Sequence, residues 1–249
     1  MHVARVTYIG HATVLLELDG VRLLTDPVLR RRVLHLRRDT AVSAEGLGRV
    51  DAVLVSHAHW DHLDVPSLAQ LGRDVRVVLP RGAGRIVRRL RFANVVEVDV
   101  GRSVEIGDVT VTAIEAEHDA GRGPFGVRAR ALGYLVTGSK RIYFAGDTDL
   151  FPAMAELAPL DLALLPVAGW GPRLPPGHLD ARRAIEALRL LEPRSAVPIH
   201  WGTYSLITKR RPTPAAARAP ADEFERLAAE RAPNVEVHVL ALGETLDLA

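Results

Sequence analysis

Residues 56–62 of the chain are Ser56-His57-Ala58-His59-Trp60-Asp61-His62. They directly follow the apolar run Ala52-Val53-Leu54-Val55, whose shortness and β-branched side chains predict a buried strand. Three imidazoles and one carboxylate therefore crowd together at the point where the chain leaves a sheet. Such a cluster of nitrogen and oxygen donors indicates a metal site at the end of that strand.

Neutral imidazole nitrogens and carboxylate oxygens are ligands that suit Zn²⁺, Mn²⁺ or Fe²⁺. Four such donors on one turn are too many for a single ion, so two adjacent ions are the natural solution. In an extended segment His57 and His59 point the same way and can hold one ion, while Asp61 and His62 face a second. The alternative is a solvated His-rich loop or a set of core histidines. Histidines this close would repel one another if protonated and would gain little from burial if neutral.

The composition is that of an ordinary globular chain, with 249 residues of which 48% are hydrophobic and 25% charged. The chain has no cysteine, so every metal ligand must be His, Asp, Glu or water. A net charge of +2 is too weak to indicate nucleic acid and is equally compatible with an anionic small molecule. Because no leader pattern and no apolar run of membrane-spanning length occurs, we expect a cytoplasmic protein without a membrane span.

Short apolar runs bounded by turn residues alternate along the chain with a few longer amphipathic runs. The predicted strands are 3–9, 12–18, 21–25, 52–55, 75–79, 95–98, 104–106, 109–116, 132–136, 141–145, 162–167, 196–199 and 235–240. The predicted helices are 65–71, 84–90, 181–191 and 221–230. The alternation is typical of an α/β fold, and the hairpins indicate mixed sheets covered by outer helices. We expect one domain over residues 1–249, made of two similar halves with the metals at their seam.

Several chemistry-bearing residues outside the first motif also follow predicted strands. They are His118, Asp147 and His200, with Asp149 as an alternative to Asp147. Asp26 ends the third strand, where its carboxylate can hydrogen-bond a ligand imidazole and fix its tautomer. The ends of strands in both halves therefore supply candidate ligands.

Two loops are candidate walls or lids of a pocket. The loop 119–130 is rich in glycine and carries three arginines that could bind an anionic substrate: Arg122, Arg128 and Arg130. The loop 168–178 ends at His178, which stands at another crossing from strand to helix. The arginine-rich stretch 29–38 lacks interleaved aromatic residues, so we interpret it as a solvated loop or helix face.

Taken in order, these motifs resemble the metallo-β-lactamase superfamily over nearly the whole chain. The resemblance rests on Asp26, the His-x-His-x-Asp-His motif from His57, the separate His118, Asp147 within Ala-Gly-Asp-Thr, and the terminal His200. It implies a four-layer αββα sandwich with two mixed β-sheets and a site at one edge between the sheets.

The resemblance also implies a ligand set for two ions. One ion would be bound by His57, His59 and His118, the other by Asp61, His62 and His200, and Asp147 would bridge them. Further segments, such as 9–15 and 198–203, look like the branch that includes ascorbate-6-phosphate lactonase and N-acyl-phosphatidylethanolamine-hydrolysing phospholipase D. His178 is similar to a pocket-lining histidine of that phospholipase branch. The chain departs from the branch by Trp60 inside the metal motif and by Asp149 after Gly-Asp-Thr.

The expected activity is that of a binuclear metal-dependent hydrolase that uses a metal-bound hydroxide on a phosphodiester or lactone small molecule. Zn²⁺ is the expected metal, with Mn²⁺ and Fe²⁺ as alternatives. The catalytic candidates are Asp61, His178 and His11. We expect His178 to orient the substrate or to protonate the leaving group, and His11 is the second candidate for that role.

Other functions of the same fold stay open as alternatives. Di-iron oxidoreductases of this fold typically carry Glu where His59 stands here, together with a flavin-binding domain. RNA-processing nucleases of this fold carry a protruding arm for RNA, and no segment of this chain is long enough to form one. A metal-binding module without catalysis is the remaining alternative. We therefore expect a small-molecule substrate rather than nucleic acid.

Overall fold

The computed structural model describes residues 4–38, 42–123, 126–169 and 174–249. The strands within these ranges are β1 (Ala4–Gly10), β2 (Thr13–Leu18), β3 (Val21–Thr25), β4 (Arg32–Val33), β5 (Leu36–Arg37), β6 (Ala52–Leu54), β7 (Arg76–Pro80), β8 (Asn94–Val98), β9 (Ser103–Ile106), β10 (Val109–Glu115), β11 (Leu132–Thr137), β12 (Arg141–Phe144), β13 (Leu160–Pro166), β14 (Pro193–Ile199), β15 (Ser205–Leu206), β16 (Glu236–Val237) and β17 (Thr245–Leu248). The α-helices are α1 (Val65–Leu68), α2 (Gly84–Val87), α3 (Ala181–Leu191) and α4 (Pro214–Arg231). Short 3-10 helices lie at Glu45–Leu47, Arg88–Leu90 and Pro152–Leu157.

Two seven-stranded sheets repeat one pattern of pairing. The first sheet has the order β17-β1-β2-β3-β6-β7-β8, and the second has the order β16-β14-β13-β12-β11-β10-β9. In the first sheet the pairs from β17 to β3 are antiparallel and the pairs from β3 to β8 are parallel. The second sheet likewise has antiparallel pairs from β9 to β12 and parallel pairs from β12 to β16. Both sheets are therefore mixed, as predicted, and the two halves of the chain follow the same plan.

The main hydrophobic core lies between the two sheets. It includes Leu16 and Leu23 of the first sheet and Tyr134 and Leu164 of the second, all fully buried. Because side chains alternate across a strand, the remaining apolar residues of each sheet face outward and need a cover. Two helices cover each sheet, so the layers are α, β, β and α, and the predicted four-layer fold is confirmed.

The outer faces of the sheets form two further apolar clusters. On the first sheet, Val53 and Val77 pack in one cluster with Leu68 of α1 and Val87 of α2. On the second sheet, α3 and α4 pack over Ala163 and Leu165, and they contribute Ala184, Leu188, Phe224 and Leu227 to the cluster. Within the described ranges, no helix combines the length and the apolar character that crossing a bilayer requires.

The helix limits show which local signals were decisive. The predicted helix 181–191 is the observed α3, and the Asp180 carboxylate accepts a hydrogen bond from the Arg183 N–H at 2.8 Å. By contrast, α4 begins at Pro214 rather than at Ala221, because the Thr213 hydroxyl caps the helix and the chain continues through Pro220. A proline inside a helix costs about 3 kcal/mol, so the sequence alone favours the later start.

A small third sheet, β15-β5-β4, stands beside the sandwich and corrects the interpretation of residues 29–38. We predicted a solvated loop or helix face there, but Val33 and Leu36 are buried and β4 and β5 form a hairpin. Arg38 is also buried, and its guanidinium donates to the carbonyl oxygens of Val28 and Ile9 at 3.1 Å each. The prediction was wrong because it weighed the arginine charge and overlooked the apolar residues Val33 and Leu36 between the arginines.

Packing between the two sheets predicts a large cost for removing a core side chain. Leu164→Ala should lower the free energy of unfolding by about 2–5 kcal/mol, because the deleted methyl groups leave a cavity that rigid sheets cannot close. Urea unfolding measures this cost. Leu242→Ala is the control, since Leu242 is 53% exposed, and its change should stay within about 0.5 kcal/mol. Equal costs for the two variants would contradict the placement of the core.

Candidate metal centre

The predicted site residues follow strand ends of both sheets at one edge of the sandwich. In the first sheet, His11 follows β1, Asp26 follows β3 and His57 follows β6. In the second sheet, His118 follows β10, Asp147 follows β12 and His200 follows β14. Parallel strands present their carboxyl ends to one edge, so strands that are distant in sequence deliver their next residues to one place.

The first group of side chains consists of His57, His59 and His118. One ring nitrogen of each lies within 4.8 Å of one ring nitrogen of each of the others. His118 Nε2 and His59 Nδ1 are 3.2 Å apart, and the rings of His57 and His118 meet edge to face with centroids 4.7 Å apart. Three imidazoles in this arrangement could hold one metal ion.

The second group consists of Asp61, His62, His200 and also His11. His62 Nε2 lies 3.8 Å from Asp61 Oδ2, and the rings of His62 and His200 are stacked with centroids 5.3 Å apart. His11 Nε2 lies 3.2 Å from Asp61 Oδ2, and the His11 ring is 4.0 Å from the His200 ring. The structure thus places His11 among the candidate ligands, a position that the sequence did not predict.

Asp147 lies between the two groups. Its Oδ2 atom is 3.3 Å from His62 Nε2, and its Oδ1 atom is 3.4 Å from His200 Nε2. Asp147 also forms a possible metal-binding group with His118 and His178. Asp149, the alternative, is engaged elsewhere, because its Oδ1 accepts a hydrogen bond from Arg183 Nε at 2.6 Å. The geometry therefore favours Asp147 as the residue that contacts both groups.

Most histidines of the site are held at Nδ1, so that Nε2 faces the centre. Their Nδ1 partners are Ser56 Oγ for His57 at 2.9 Å, Asp26 Oδ2 for His62 at 2.7 Å, Gly177 O for His118 at 2.8 Å and Ala168 O for His200 at 2.9 Å. A hydrogen bond at one ring nitrogen fixes the tautomer and leaves the lone pair on the other nitrogen. This arrangement orients each imidazole before anything binds.

Asp26 and Ser56 tie two of these histidines together. The Asp26 carboxylate accepts hydrogen bonds from the Ser56 N–H at 2.7 Å and from the Ser56 hydroxyl at 2.5 Å. Since that hydroxyl donates to Asp26, it accepts from the His57 Nδ1–H, while the His62 Nδ1–H donates directly to Asp26. The proposed contact of Asp26 with an imidazole is thus present. Ser56 was not predicted, although a hydroxyl directly before the first histidine was the available signal.

Three residues of the site have left-handed backbone conformations that side chains other than glycine rarely adopt. The φ angles are 59° at His11, 32° at Asp26 and 63° at His200. Such conformations cost about 1–3 kcal/mol each and persist where the surrounding structure imposes them. Backbone hydrogen bonds impose them here: the His200 N–H donates to the His11 carbonyl at 2.8 Å, and the Asp26 N–H donates to the Leu54 carbonyl at 2.9 Å.

Burial keeps the first group of histidines neutral. It lowers the pKa of His57 well below the ordinary value, and the nearby His62 adds to the effect. Burial also lowers the pKa of His118 to about 4. Neutral imidazole is the form that binds a metal ion, so these side chains are ready as ligands at pH 7.

Carboxylates surround His62 of the second group. Burial would raise the pKa of Asp147, but the charges of His200 and His62 outweigh burial and hold the pKa well below its usual range. Burial opposes the charged form of His62 too, yet three carboxylates raise its pKa well above the ordinary value: Asp147, Asp26 and Asp61. Three carboxylates around one buried imidazole therefore favour a positive charge at this point.

The donor set fits divalent cations. His57 Nε2 and Asp147 Oδ1 are buried, and neither has a hydrogen-bond partner among the described residues. Buried polar atoms of native proteins are nearly always satisfied, and an unsatisfied one costs about 1–3 kcal/mol. A cation that accepts these lone pairs would satisfy the atoms and would balance the carboxylates as well.

His178 lies at the edge of the site and lines a cavity. Its Nε2 atom is 3.8 Å from Asp147 Oδ2, and its ring meets the His118 ring edge to face with centroids 4.7 Å apart. Its Nδ1 atom is held by the Pro175 carbonyl at 3.1 Å. The cavity beside it has a volume of about 820 Å³. Part of each predicted lid lies outside the described residues. These parts are residues 170–173 of the loop 168–178 and residues 124–125 of the loop 119–130.

Arg122, which the sequence predicted as an anion binder, is instead buried against the metal motif. Its Nη1 atom donates to the carbonyl oxygens of Ala58 at 2.7 Å and Leu63 at 2.9 Å. Its guanidinium carbon lies 3.7 Å from the centre of the Trp60 ring. Arg122 thus holds both ends of the loop that carries the motif. The Trp60 side chain packs against the Arg122 guanidinium, which accounts for a tryptophan inside the motif. Arg130 pairs with Glu115 at 3.0 Å.

Comparisons with known proteins show the family to which the chain belongs. The model of the "Beta-lactamase superfamily domain" family matches residues 21–201. A "UPF0173 metal-dependent hydrolase" of Carboxydothermus hydrogenoformans is 32% identical over 253 residues, which cover 98% of this chain and 100% of that protein. "N-acyl-phosphatidylethanolamine-hydrolyzing phospholipase D 1" of Caenorhabditis elegans is 32% identical over 230 residues, which cover 81% of this chain and 65% of that protein.

A solved structure shows the same fold. It belongs to a metallo hydrolase of the archaeon Ignicoccus hospitalis, which matches with a TM-score of 0.72 and 23% identity over 98% of both chains. The family model covers most of the chain, and the relatives named above share its sequence over most of its length. The chain therefore belongs to the metal-dependent hydrolases of the metallo-β-lactamase superfamily.

Proposed function

We propose that the chain is a hydrolase with two divalent metal ions, and that the ions are held by the two groups of side chains at the sandwich edge. One ion would be held by His57, His59 and His118 and the other by Asp61, His62 and His200, with Asp147 between them. The observation that carries the proposal is the convergence of these seven side chains from both sheets. Buried donors that lack a hydrogen-bond partner, such as His57 Nε2, support it.

The donor chemistry also supports a choice of metal. Imidazole nitrogens and carboxylate oxygens suit Zn²⁺ first, and they accept Mn²⁺ or Fe²⁺ as well. When bound, such ions would lower the pKa of a water molecule and would polarise the oxygen of the bond under attack. The protein supplies the rest: Asp26, Ser56 and the carbonyl oxygens of Gly177 and Ala168 hold the imidazoles in position.

His11 and Asp61 act as a pair in this proposal. His11 is buried and hydrogen-bonds Asp61, and burial lowers the pKa of His11 to about 3. A histidine that is neutral at pH 7 has no extra proton to donate to a leaving group. We therefore assign His11 to orienting the Asp61 carboxylate rather than to protonating the leaving group.

His178 is our candidate for the contact with the substrate. Its ring is partly exposed, lines the 820 Å³ cavity and stands 3.8 Å from Asp147. From this position it can orient a substrate oxygen or donate a proton to the leaving group. The relative from Caenorhabditis elegans acts on a phospholipid by its name, which supports a phosphodiester as the bond cleaved. A lactone is the second choice. The cytoplasmic location stays a prediction.

Asp147 should be essential for metal loading and for turnover. We expect EDTA-treated protein to be inactive towards bis(p-nitrophenyl) phosphate and a lactone panel, and Zn²⁺, Mn²⁺ or anaerobic Fe²⁺ to restore turnover of one class. Asp147→Asn should lower the restored rate at least about 100-fold, because the neutral amide is a poor metal ligand. Elemental analysis should count fewer ions per chain in this variant than in the wild type.

The matched control is Asp149→Asn, two residues further on, where the carboxylate pairs with Arg183. This variant should keep the metal content and the rate of the wild type. If the two Asn variants behave alike, Asp147 does not have the proposed role. If no metal restores turnover of either substrate class, the proposed activity is wrong.

His178→Ala should lower turnover of the best substrate while leaving the metal content unchanged. We expect a drop of about 10²–10⁴-fold if His178 transfers a proton, and mainly a higher KM if it only orients the substrate. Steady-state kinetics with elemental analysis measures both effects. Unchanged kcat and KM would remove His178 from the mechanism.

A further inference from the structure

The small third sheet brings two basic segments together beside the candidate metal centre. Segments 27–38 and 203–212 contain eight Lys or Arg residues and no Asp or Glu. Strand β5 carries Arg37 and pairs with β15, in the register Ser205 opposite Arg37. The whole chain has a net charge of only +2, so this sheet concentrates positive charge at one place.

Two adjoining cavities connect this sheet with the metal centre. The first has a volume of about 470 Å³ and extends from His11 and His200 to Arg37 and Arg211. The second, of about 510 Å³, is lined by Arg31, Arg32, Arg37, Arg38 and Arg211 together with Ile207 and Thr208. Arg37 and Arg211 thus line both cavities. Among the described residues, no Asp or Glu lines either one.

Some arginines of the sheet have structural roles. Arg30 forms a bidentate pair with Asp64, with its closest contact at 2.7 Å, and the Arg38 guanidinium is bound to backbone carbonyls. Arg37 has no carboxylate partner among the described residues, unlike Arg30, and it is less buried than Arg38. Its Nη2 donates to the Lys209 carbonyl at 2.8 Å and its Nε to Ser205 Oγ at 3.5 Å, contacts that fix the side chain without neutralising its charge.

Some arginines of the chain have a carboxylate partner and others have none among the described residues. Exposed pairs such as Arg5–Asp247 and Arg81–Asp99 are examples of the first kind. In the described ranges, no carboxylate lies within 4.0 Å of the guanidinium nitrogens of Arg31, Arg32 or Arg37. Uncompensated guanidinium groups that line a cavity are suited to an anionic ligand.

We propose that Arg37 and Arg211 bind a phosphate group of the substrate that is separate from the bond cleaved at the metal centre. This inference rests on the proposed hydrolase function and adds the substrate class: small molecules with a second anionic group. A guanidinium presents parallel N–H donors that match two oxygens of a phosphate. The continuous cavity lets one molecule reach from Arg37 to His200.

The aromatic residues near the cavity favour a small molecule over single-stranded nucleic acid as the ligand. Strand-binding proteins need aromatic faces on which bases stack. Here the Trp201 ring is stacked on Tyr8 with centroids 5.7 Å apart, and Tyr204 is buried, with its hydroxyl donating to the Arg30 carbonyl at 2.9 Å. Both aromatic residues near the cavity are therefore used in packing.

The first test needs no metal. Isothermal titration of EDTA-treated protein with inorganic pyrophosphate should give one site per chain, with an affinity that falls as NaCl is added. Arg37→Gln and Arg211→Gln should each weaken this affinity about tenfold or more, since each removes charge-assisted hydrogen bonds. The control is Arg89→Gln, which removes the same charge from an exposed residue of the 3-10 helix Arg88–Leu90 and should bind as the wild type does.

A second test uses the metal-loaded enzyme and a matched substrate pair. Thymidine 5′-(p-nitrophenyl phosphate) and its 3′-phosphorylated form differ only in the second phosphate. The 3′-phosphate should lower KM about tenfold in the wild type and in Arg89→Gln. In Arg37→Gln and Arg211→Gln this ratio of KM values should approach one.

The two tests separate the two proposals. Pyrophosphate binding that is absent, or that is equal in all variants, would overturn the phosphate site whatever the enzyme hydrolyses. Site-specific binding without turnover of either diester would support the phosphate site and count against the proposed activity on diesters. Thermal melting curves verify that each variant is folded. Because Arg211 is exposed, we expect Arg211→Gln to fold, so this variant tests the site even if Arg37→Gln does not fold.

Discussion

The buried carboxylate of Asp26 is the contact on which the rest of the centre depends. It is fully buried, and it accepts hydrogen bonds from the Ser56 N–H, the Ser56 hydroxyl and the His62 Nδ1–H. One side chain at the end of β3 therefore orients histidines of both groups, His57 through Ser56 and His62 directly. A buried carboxylate without such donors would cost several kcal/mol, so the contacts hold strand β3 and the metal motif together.

This anchoring explains why the fold is a suitable scaffold. Strands of the two sheets that run in one direction deliver residues from distant parts of the chain to one edge, and carbonyl oxygens of the flanking loops fix the imidazoles that arrive there. The cost of packing histidines and carboxylates together is considerable, as the opposite pKa directions of His57 and His62 show. Bound cations would offset this cost by balancing the carboxylate charge. The chain belongs to a family of metal-dependent hydrolases, which is consistent with bound cations.

Much of this arrangement could be predicted from the sequence, because its signals are local. The strand before His57, the hairpin at Asp19 and the capped helix α3 each follow from apolar periodicity and turn residues. The residues brought to the edge were predictable because each lies a short way past the end of a predicted strand. Contacts between distant segments were not predictable. No local pattern indicates that Arg122 braces the loop around Trp60, that His11 meets Asp61, or that residues 29–38 pair with Ser205.

We propose that the two groups of side chains form a site for two ions, with Asp147 between them. The most direct test of this proposal is an anomalous difference map from a crystal grown with excess Zn²⁺, recorded above and below the zinc absorption edge. Two peaks should appear about 3.5–4 Å apart, one next to His57, His59 and His118 and the other next to Asp61, His62 and His200. A single peak, or peaks only elsewhere on the protein with these side chains turned apart, would contradict it.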